Sequence, residues 1–182
     1  HCHITLALGS SRSEGNRVDA PAATILFDLD GTLVDTAPDL TAALNHALGH
    51  LGRPAVPAQS VRHMVGHGAR RLLERGLAAT GELTPELVEA GVTPFLEYYA
   101  AHIADQSRPY PGVEQALERL AARGSTLAIC TNKPQRLSDA LVAAMGWQQV
   151  FAAVVGFDSV PRPKPDAGHV LATLAGAGGI ST

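Results

Sequence analysis

The sequence predicts an α/β fold: a Rossmann-like parallel sheet core with an inserted all-helical cap domain. Short apolar, β-prone runs at 23–27, 125–130 and 152–157 each give way to loop residues and then to helical periodicity. Strands that are apolar throughout and alternate with helices imply a parallel sheet covered on both faces. Between the first and second runs, residues 38–107 carry only helical spacing.

Taken in order, residues 1–22 read as an N-terminal tail, disordered or foreign to the rest, because they run through the polar, turn-prone SSRSEGNR. ATILF at 23–27 is a buried strand that ends in acidic and glycine residues. Leu40, Leu44, Ala47, Leu48 and Leu51 recur at helical spacing, and Gly52 and Pro54 stop the run. A second helix covers Ala69 to Thr80, with Leu72, Leu73 and Leu77 on one face. Thr84 as N-cap and Pro85 in the first turn begin a third, and a segment from about Pro94 to Ala104 is either a fourth helix or its continuation. After Pro109-Tyr110-Pro111-Gly112 the texture changes. Val113 to Arg123 is an amphipathic helix closed by Gly124, STLAIC at 125–130 is a strand, and Pro134 to Met145 a helix. AAVVGF at 152–157 is a third strand and Asp166 to Leu174 a last helix. The expected division is therefore a core of 23–37 and 108–182 and a helical cap of 38–107.

Composition narrows the function classes. A formal net charge of −3 gives no basic field for nucleic acid, while a small anionic metabolite needs only a local cationic site. No apolar stretch approaches the length of a membrane span. The two cysteines, Cys2 in a polar segment and Cys130 in an apolar run, make no disulfide framework, so a reduced, cytoplasmic protein is expected.

The chemistry gathers at strand ends. Asp28 and Asp30 follow the first strand, Thr131 and Asn132 the second, and Lys164 lies in the loop after the third. Ligands of open parallel sheets bind at the carboxyl edge, where these groups can converge. They suit phosphoryl transfer through an aspartyl phosphate. Asp28 would attack phosphorus, and Asp30 would protonate the leaving alcohol and then activate water. Thr131 and Asn132 offer donors to phosphoryl oxygens, and Lys164 a positive charge stiffened by Pro163 and Pro165. Two carboxylates beside a phosphate repel it, so Mg²⁺ is expected as a charge bridge.

FDLDGTLVDT, CTNKP and RPKPD, in that order, resemble the first three motifs of the haloacid dehalogenase superfamily. MVGHGARRLLERGL and YPGVEQALERLAARG are similar to segments of bacterial phosphoglycolate phosphatases. The resemblance implies that Asp28 is nucleophile and Mg²⁺ ligand, and that Asp30 is acid/base and lends its backbone carbonyl to the metal. It further implies that Thr131, Asn132 and Lys164 bind phosphate. Because VGHGA resembles a loop that closes over substrate, it suggests His67 and Arg70 as contacts to a substrate carboxylate. The implied activity is hydrolysis of 2-phosphoglycolate to glycolate and phosphate; a sugar-phosphate mutase of the same superfamily is the competing expectation.

One departure stands out. The superfamily pattern requires a fourth, acidic motif beyond the lysine, and after Lys164 the only acid is Asp166, too close to serve. A shortened chain, an inactive fragment and poor solution stability are the corresponding expectations. His46 with His50, and His63 with His67, have helix-pair spacing but no evident third ligand, and are read as solvated or capping residues.

Overall fold

The computed structural model describes residues 5–7, 23–66 and 68–179, of which 5–7 are backbone only. The chain forms two compact units, residues 1–33 with 109–182 and residues 34–108.

In the first unit, strands β1 (Thr5–Ala7), β2 (Thr24–Phe27), β5 (Thr126–Cys130) and β6 (Ala153–Val155) lie in the order β1-β2-β5-β6. β2 and β5 pair in parallel from Thr24↔Thr126 to Phe27↔Ile129, and β5 and β6 from Ala128↔Ala153 to Cys130↔Val155. Ile25, Leu26 and Phe27 are buried, as are Leu127, Ala128, Ile129 and Cys130. Burial of successive residues, which point to opposite faces, means that both faces are covered. Helices α5 (Val113–Ala122), α6 (Gln135–Ala144) and α7 (Ala167–Gly176) supply the cover. Leu174 of α7 packs on Leu26 and Ala128, with Ala153, Val170 and Ala177 around them. Trp147 and Phe151 meet edge to face, and Phe151 meets Phe27 in the same manner, which closes the end of α6 against the sheet.

The expectation of a structureless tail over 1–22 needs correction at one place. Thr5–Ala7 pairs antiparallel with β2, in the register Thr5↔Leu26 to Ala7↔Thr24, so the sheet is mixed at that edge. Thr5–Ala7 pairs with backbone groups of β2 on the edge that β5 does not reach. The remainder of 1–22 lies outside the described residues.

The second unit is helical: α1 (Ala37–His50), α2 (Ala58–Arg62), α3 (Ala69–Thr80) and α4 (Pro85–Ala101), together with β3 (Val34–Asp35) and Arg108 of the short strand β4 (Arg108–Pro109) that pairs with it. The two segments read from Thr84 onward form one helix. Pro94 stands inside α4 without ending it, and the Thr84 hydroxyl caps the helix by accepting the Leu87 N–H at 3.3 Å. The α2 turn carries a single buried residue, Val61, too little to leave a periodic signal. Small residues bring α1, α3 and α4 together: a Cβ on Gly76 would lie 2.7 Å from Leu44 Cδ1, and one on Gly91 2.8 Å from Leu73 Cδ2. Asp39, buried in the first turn of α1, accepts the Gln106 and Ser107 N–H groups and the Ser107 hydroxyl at 2.6–3.1 Å. Among the described residues no helix is long and apolar enough to cross a membrane.

Candidate active site

The site begins where β2 stops. Leu29 is fully buried and lies between Asp28 and Asp30, so the alternation of an extended chain turns the two carboxylates to the side opposite Leu29. A tight turn follows. The Leu29 carbonyl accepts the Leu33 N–H at 3.0 Å, and Gly31 holds a positive φ of 74° that a side chain would resist. Asp28 Oδ1 accepts the Leu29 N–H at 2.8 Å, which fixes the carboxylate plane against its own backbone.

Each carboxylate meets a lysine. Lys164 Nζ stands 3.1 Å from Asp28 Oδ2, both side chains being about one quarter exposed (25% and 22%). Lys133 Nζ stands 3.0 Å from Asp30 Oδ1 and 3.3 Å from Oδ2, and here the side chains are almost wholly enclosed (3% and 11%). Lys133 and Lys164 are the only lysines in the sequence. Opposite charges in equal number make the cluster neutral as it stands, so an entering dianion must find cationic partners by drawing an ammonium away from a carboxylate.

The loop after β5 supplies the frame. Thr131 is buried; its N–H donates to the Val155 carbonyl at 3.0 Å and its hydroxyl accepts the Lys133 N–H at 3.2 Å, which leaves the hydroxyl proton to donate elsewhere. Asn132 Nδ2 donates to the Lys164 carbonyl at 3.1 Å, and Asn132 Oδ1 is buried without a partner. Gln135, at the start of α6, ties this loop to the one after β6. Its Oε1 accepts the Gly156 N–H at 2.7 Å and the Ser159 hydroxyl at 2.8 Å, and its Nε2 donates to the Val154 carbonyl at 3.0 Å. Asp158 lies in a 3-10 turn (Phe157–Ser159) and accepts the Gln135 N–H at 2.7 Å.

Asp28 and Asp30 thus follow β2, Thr131 and Asn132 follow β5, and Lys164 lies in the longer loop after β6, which returns it to Asp28. Lys133 and Gln135 were passed over in the sequence, although Lys133 lies inside the CTNKP motif and shows its role only when the partner Asp30 is seen. The two cap candidates fare differently. His67 lies outside the described residues, and the Arg70 guanidinium is held by Glu89 at 2.6 Å and Glu74 at 3.7 Å within the helical unit. The hydrogen bond and charge of Glu89 raise the Arg70 pKa above its ordinary value. His46 stacks on Tyr98 at 4.5 Å and tilts against His50 at 5.1 Å between ring centroids. Among the described residues no group of three histidine, cysteine, aspartate or glutamate side chains is close enough to hold a metal. Burial pushes the Cys130 thiol pKa up, against the opposing hydrogen bond of Thr173 and the charge of Lys164, so it is a packing residue and a poor nucleophile at neutral pH.

Residues 25–179 match the family model described as "Haloacid dehalogenase-like hydrolase". The chain belongs to that family. Among relatives of this haloacid dehalogenase-like chain, a phosphoglycolate phosphatase of Caulobacter vibrioides is 51% identical over 162 residues, covering 88% of this chain and 68% of that protein. One of Agrobacterium fabrum is 42% identical, covering 85% and 66%. A solved structure titled as a predicted phosphoglycolate phosphatase, from Haemophilus somnus, superimposes with a TM-score of 0.76 at 33% identity, covering 84% of this chain and 70% of that one. The chain therefore spans about two thirds of the length of these relatives.

Proposed function

We propose that this haloacid dehalogenase-like hydrolase cleaves the phosphate monoester of 2-phosphoglycolate through an aspartyl phosphate on Asp28. The observation that carries the reading is the Asp28–Lys164 pair at 3.1 Å, a carboxylate nucleophile with a cation beside it at the carboxyl edge of a parallel sheet. The choice of substrate rests on the phosphoglycolate phosphatase relatives.

The reaction follows from the groups present. A substrate phosphate competes with Asp28 for the Lys164 ammonium. The freed Asp28 oxygen attacks phosphorus, and the bond from phosphorus to the glycolate oxygen breaks. Asp30 passes to that oxygen a proton taken from the Lys133 ammonium 3.0 Å away, to which the proton gained in the hydrolytic step returns. Asp30, now ionised, takes a proton from water as the water attacks phosphorus. The bond from phosphorus to Asp28 then breaks, and phosphate leaves with the starting enzyme restored. The Thr131 hydroxyl and Asn132 serve phosphoryl oxygens beside Lys164.

Mg²⁺ suits the donor set. Each Asp28 oxygen receives one donor, Leu29 N–H or Lys164 Nζ, and a carboxylate oxygen offers about two lone-pair sites, so a hard cation still finds one on each. Mg²⁺ keeps several waters and needs only one or two carboxylates with substrate phosphate. Asp28 would hold it through the carboxylate and Asp30 through its backbone carbonyl. When bound, it offsets the repulsion between the carboxylates and the phosphate. The free, buried Cys130 supports a cytoplasmic setting, and the partner is a small phosphorylated metabolite.

The test is phosphate release from 2-phosphoglycolate by this chain, with and without Mg²⁺, beside the Asp28→Asn variant. Release that needs both the metal and Asp28 is expected, with a loss of at least about a thousandfold in the variant. Equal release from the variant would overturn the assignment.

A further inference from the structure

His169 enters no step of the proposed reaction, yet it is fully buried in the first turn of α7, beneath the loop that carries Lys164. Its Nε2 lies 3.0 Å from the Val155 carbonyl and its Nδ1 lies 3.1 Å from the Lys164 backbone nitrogen. A carbonyl only accepts, so Nε2 must carry the ring proton. The Lys164 N–H only donates, so Nδ1 must be bare. Both neighbours therefore select one tautomer of a neutral ring, without further assumption.

The same residue is held from its other side. The Lys164 carbonyl accepts Asn132 Nδ2 at 3.1 Å, while the His169 carbonyl accepts the Thr173 hydroxyl at 2.8 Å and so ties the ring to the body of α7. The Lys164 main chain, which has no strand or helix of its own, is thus fixed through its N–H to α7 and β6 and through its carbonyl to the β5 loop. A lysine ammonium sits at the end of a flexible four-carbon stem, and its reach is set first by where its Cα is anchored.

We infer that His169 is a positioning residue for Lys164. By accepting the Lys164 N–H on a bare Nδ1, it holds the loop where the ammonium reaches Asp28 and the phosphate that Asp28 attacks. The inference rests on the phosphate-binding role proposed for Lys164, but the clamp itself can be read without any turnover.

Two variants separate the two ring nitrogens. His169→Asn keeps an acceptor near Nδ1 and loses the donor to Val155; His169→Gln keeps a nitrogen near Nε2 and loses the acceptor for Lys164. In amide hydrogen exchange, the Lys164 N–H is expected to stay protected in the Asn variant and to exchange at least tenfold faster in the Gln variant. Inorganic phosphate is expected to bind the Asn variant within about twofold of the parent and the Gln variant at least fivefold more weakly, at matched melting temperatures. Equal Lys164 protection in both variants would overturn the clamp, as would losses of phosphate binding that merely track lost stability. Should neither variant fold, nitrogen-15 spectra of the imidazoles in the unaltered chain decide the matter. A neutral His169 protonated at Nε2 is expected, and a ring protonated at Nδ1 would overturn the inference. If the parent chain itself fails to bind phosphate while the Lys164 amide follows the expected pattern, the phosphatase reading fails and the clamp stands.

Discussion

Lys133 and Asp30 are 103 residues apart in the chain and 3.0 Å apart in the fold, and they form the most enclosed ion pair of the candidate site. An ammonium with 3% of its side chain exposed would be expelled from the interior without a counter-charge. Removing one member of such a pair strands the other. Lys133→Met should lower stability by about 3–5 kcal/mol. The double change Lys133→Met with Asp30→Asn should recover a large part of that loss, because neither charge is then left alone. Urea unfolding of both variants checks it; a double variant no more stable than the single one would contradict the pairing.

Asp39 presents a different case, a carboxylate used as a hub. Its oxygens accept two backbone N–H groups and one hydroxyl from Gln106 and Ser107, joining the first turn of α1 to the segment that leaves the helical unit. Asp39→Ala would leave the buried Ser107 N–H and hydroxyl unanswered. A loss of about 2–4 kcal/mol is expected, with the helical unit opening first. Hydrogen exchange at the Gln106 and Ser107 amides is the direct measurement.

Gly156 is required for space and not for backbone freedom, since its φ of −84° suits any residue. A Cβ there would lie 2.5 Å from the Gln135 nitrogen and 2.8 Å from the Lys133 carbonyl oxygen, and backbone atoms cannot yield as a side chain can. Gly156→Ala should cost about 1–3 kcal/mol. It should also impair phosphate release more than stability predicts, because the loops carrying Lys133 and Lys164 meet at this point. Phosphate-release rates measured well below the variant's melting temperature distinguish the two effects.

The Cys130 thiol gives a pH signature. Burial raises its folded pKa above the ordinary value of 9.0, so the folded chain keeps the proton that the unfolded chain begins to lose near that pH. Its contribution to stability is complete below about pH 9 and declines as pH rises through the folded pKa. Melting temperatures of the parent chain and of Cys130→Ala should run parallel up to about pH 8. Beyond about pH 9 the parent should fall more steeply; parallel curves throughout would show that Cys130 does not contribute.

Much of the fold could be read from the sequence because its signals are local. STLAIC declares a strand by its apolar run, and Thr84-Pro85 declares a helix start by capping chemistry. Asp28 and Asp30 were legible because two acids and a glycine directly after a strand have few other uses. Lys133, Gln135 and His169 were not, since their meaning lies in partners 103, 21 and 5 residues away that only the folded chain brings near. β1 was missed for a related reason: three residues are too few to give a periodic signal, and pairing with β2 is what makes them a strand.

The two lysines have a practical consequence. The chain's other fixed cations are arginines, so amine-directed chemistry finds side-chain targets only beside Asp28 and Asp30. Lys164, at 25% exposure, is the accessible one of the two. Acylating reagents, aldehydes and amine-reactive surfaces would therefore address this catalytic candidate first, apart from the chain terminus. Coupling a dye or a support through amines would block the very site it was meant to report on, whereas a single acetyl group found by mass spectrometry would mark the state of that site.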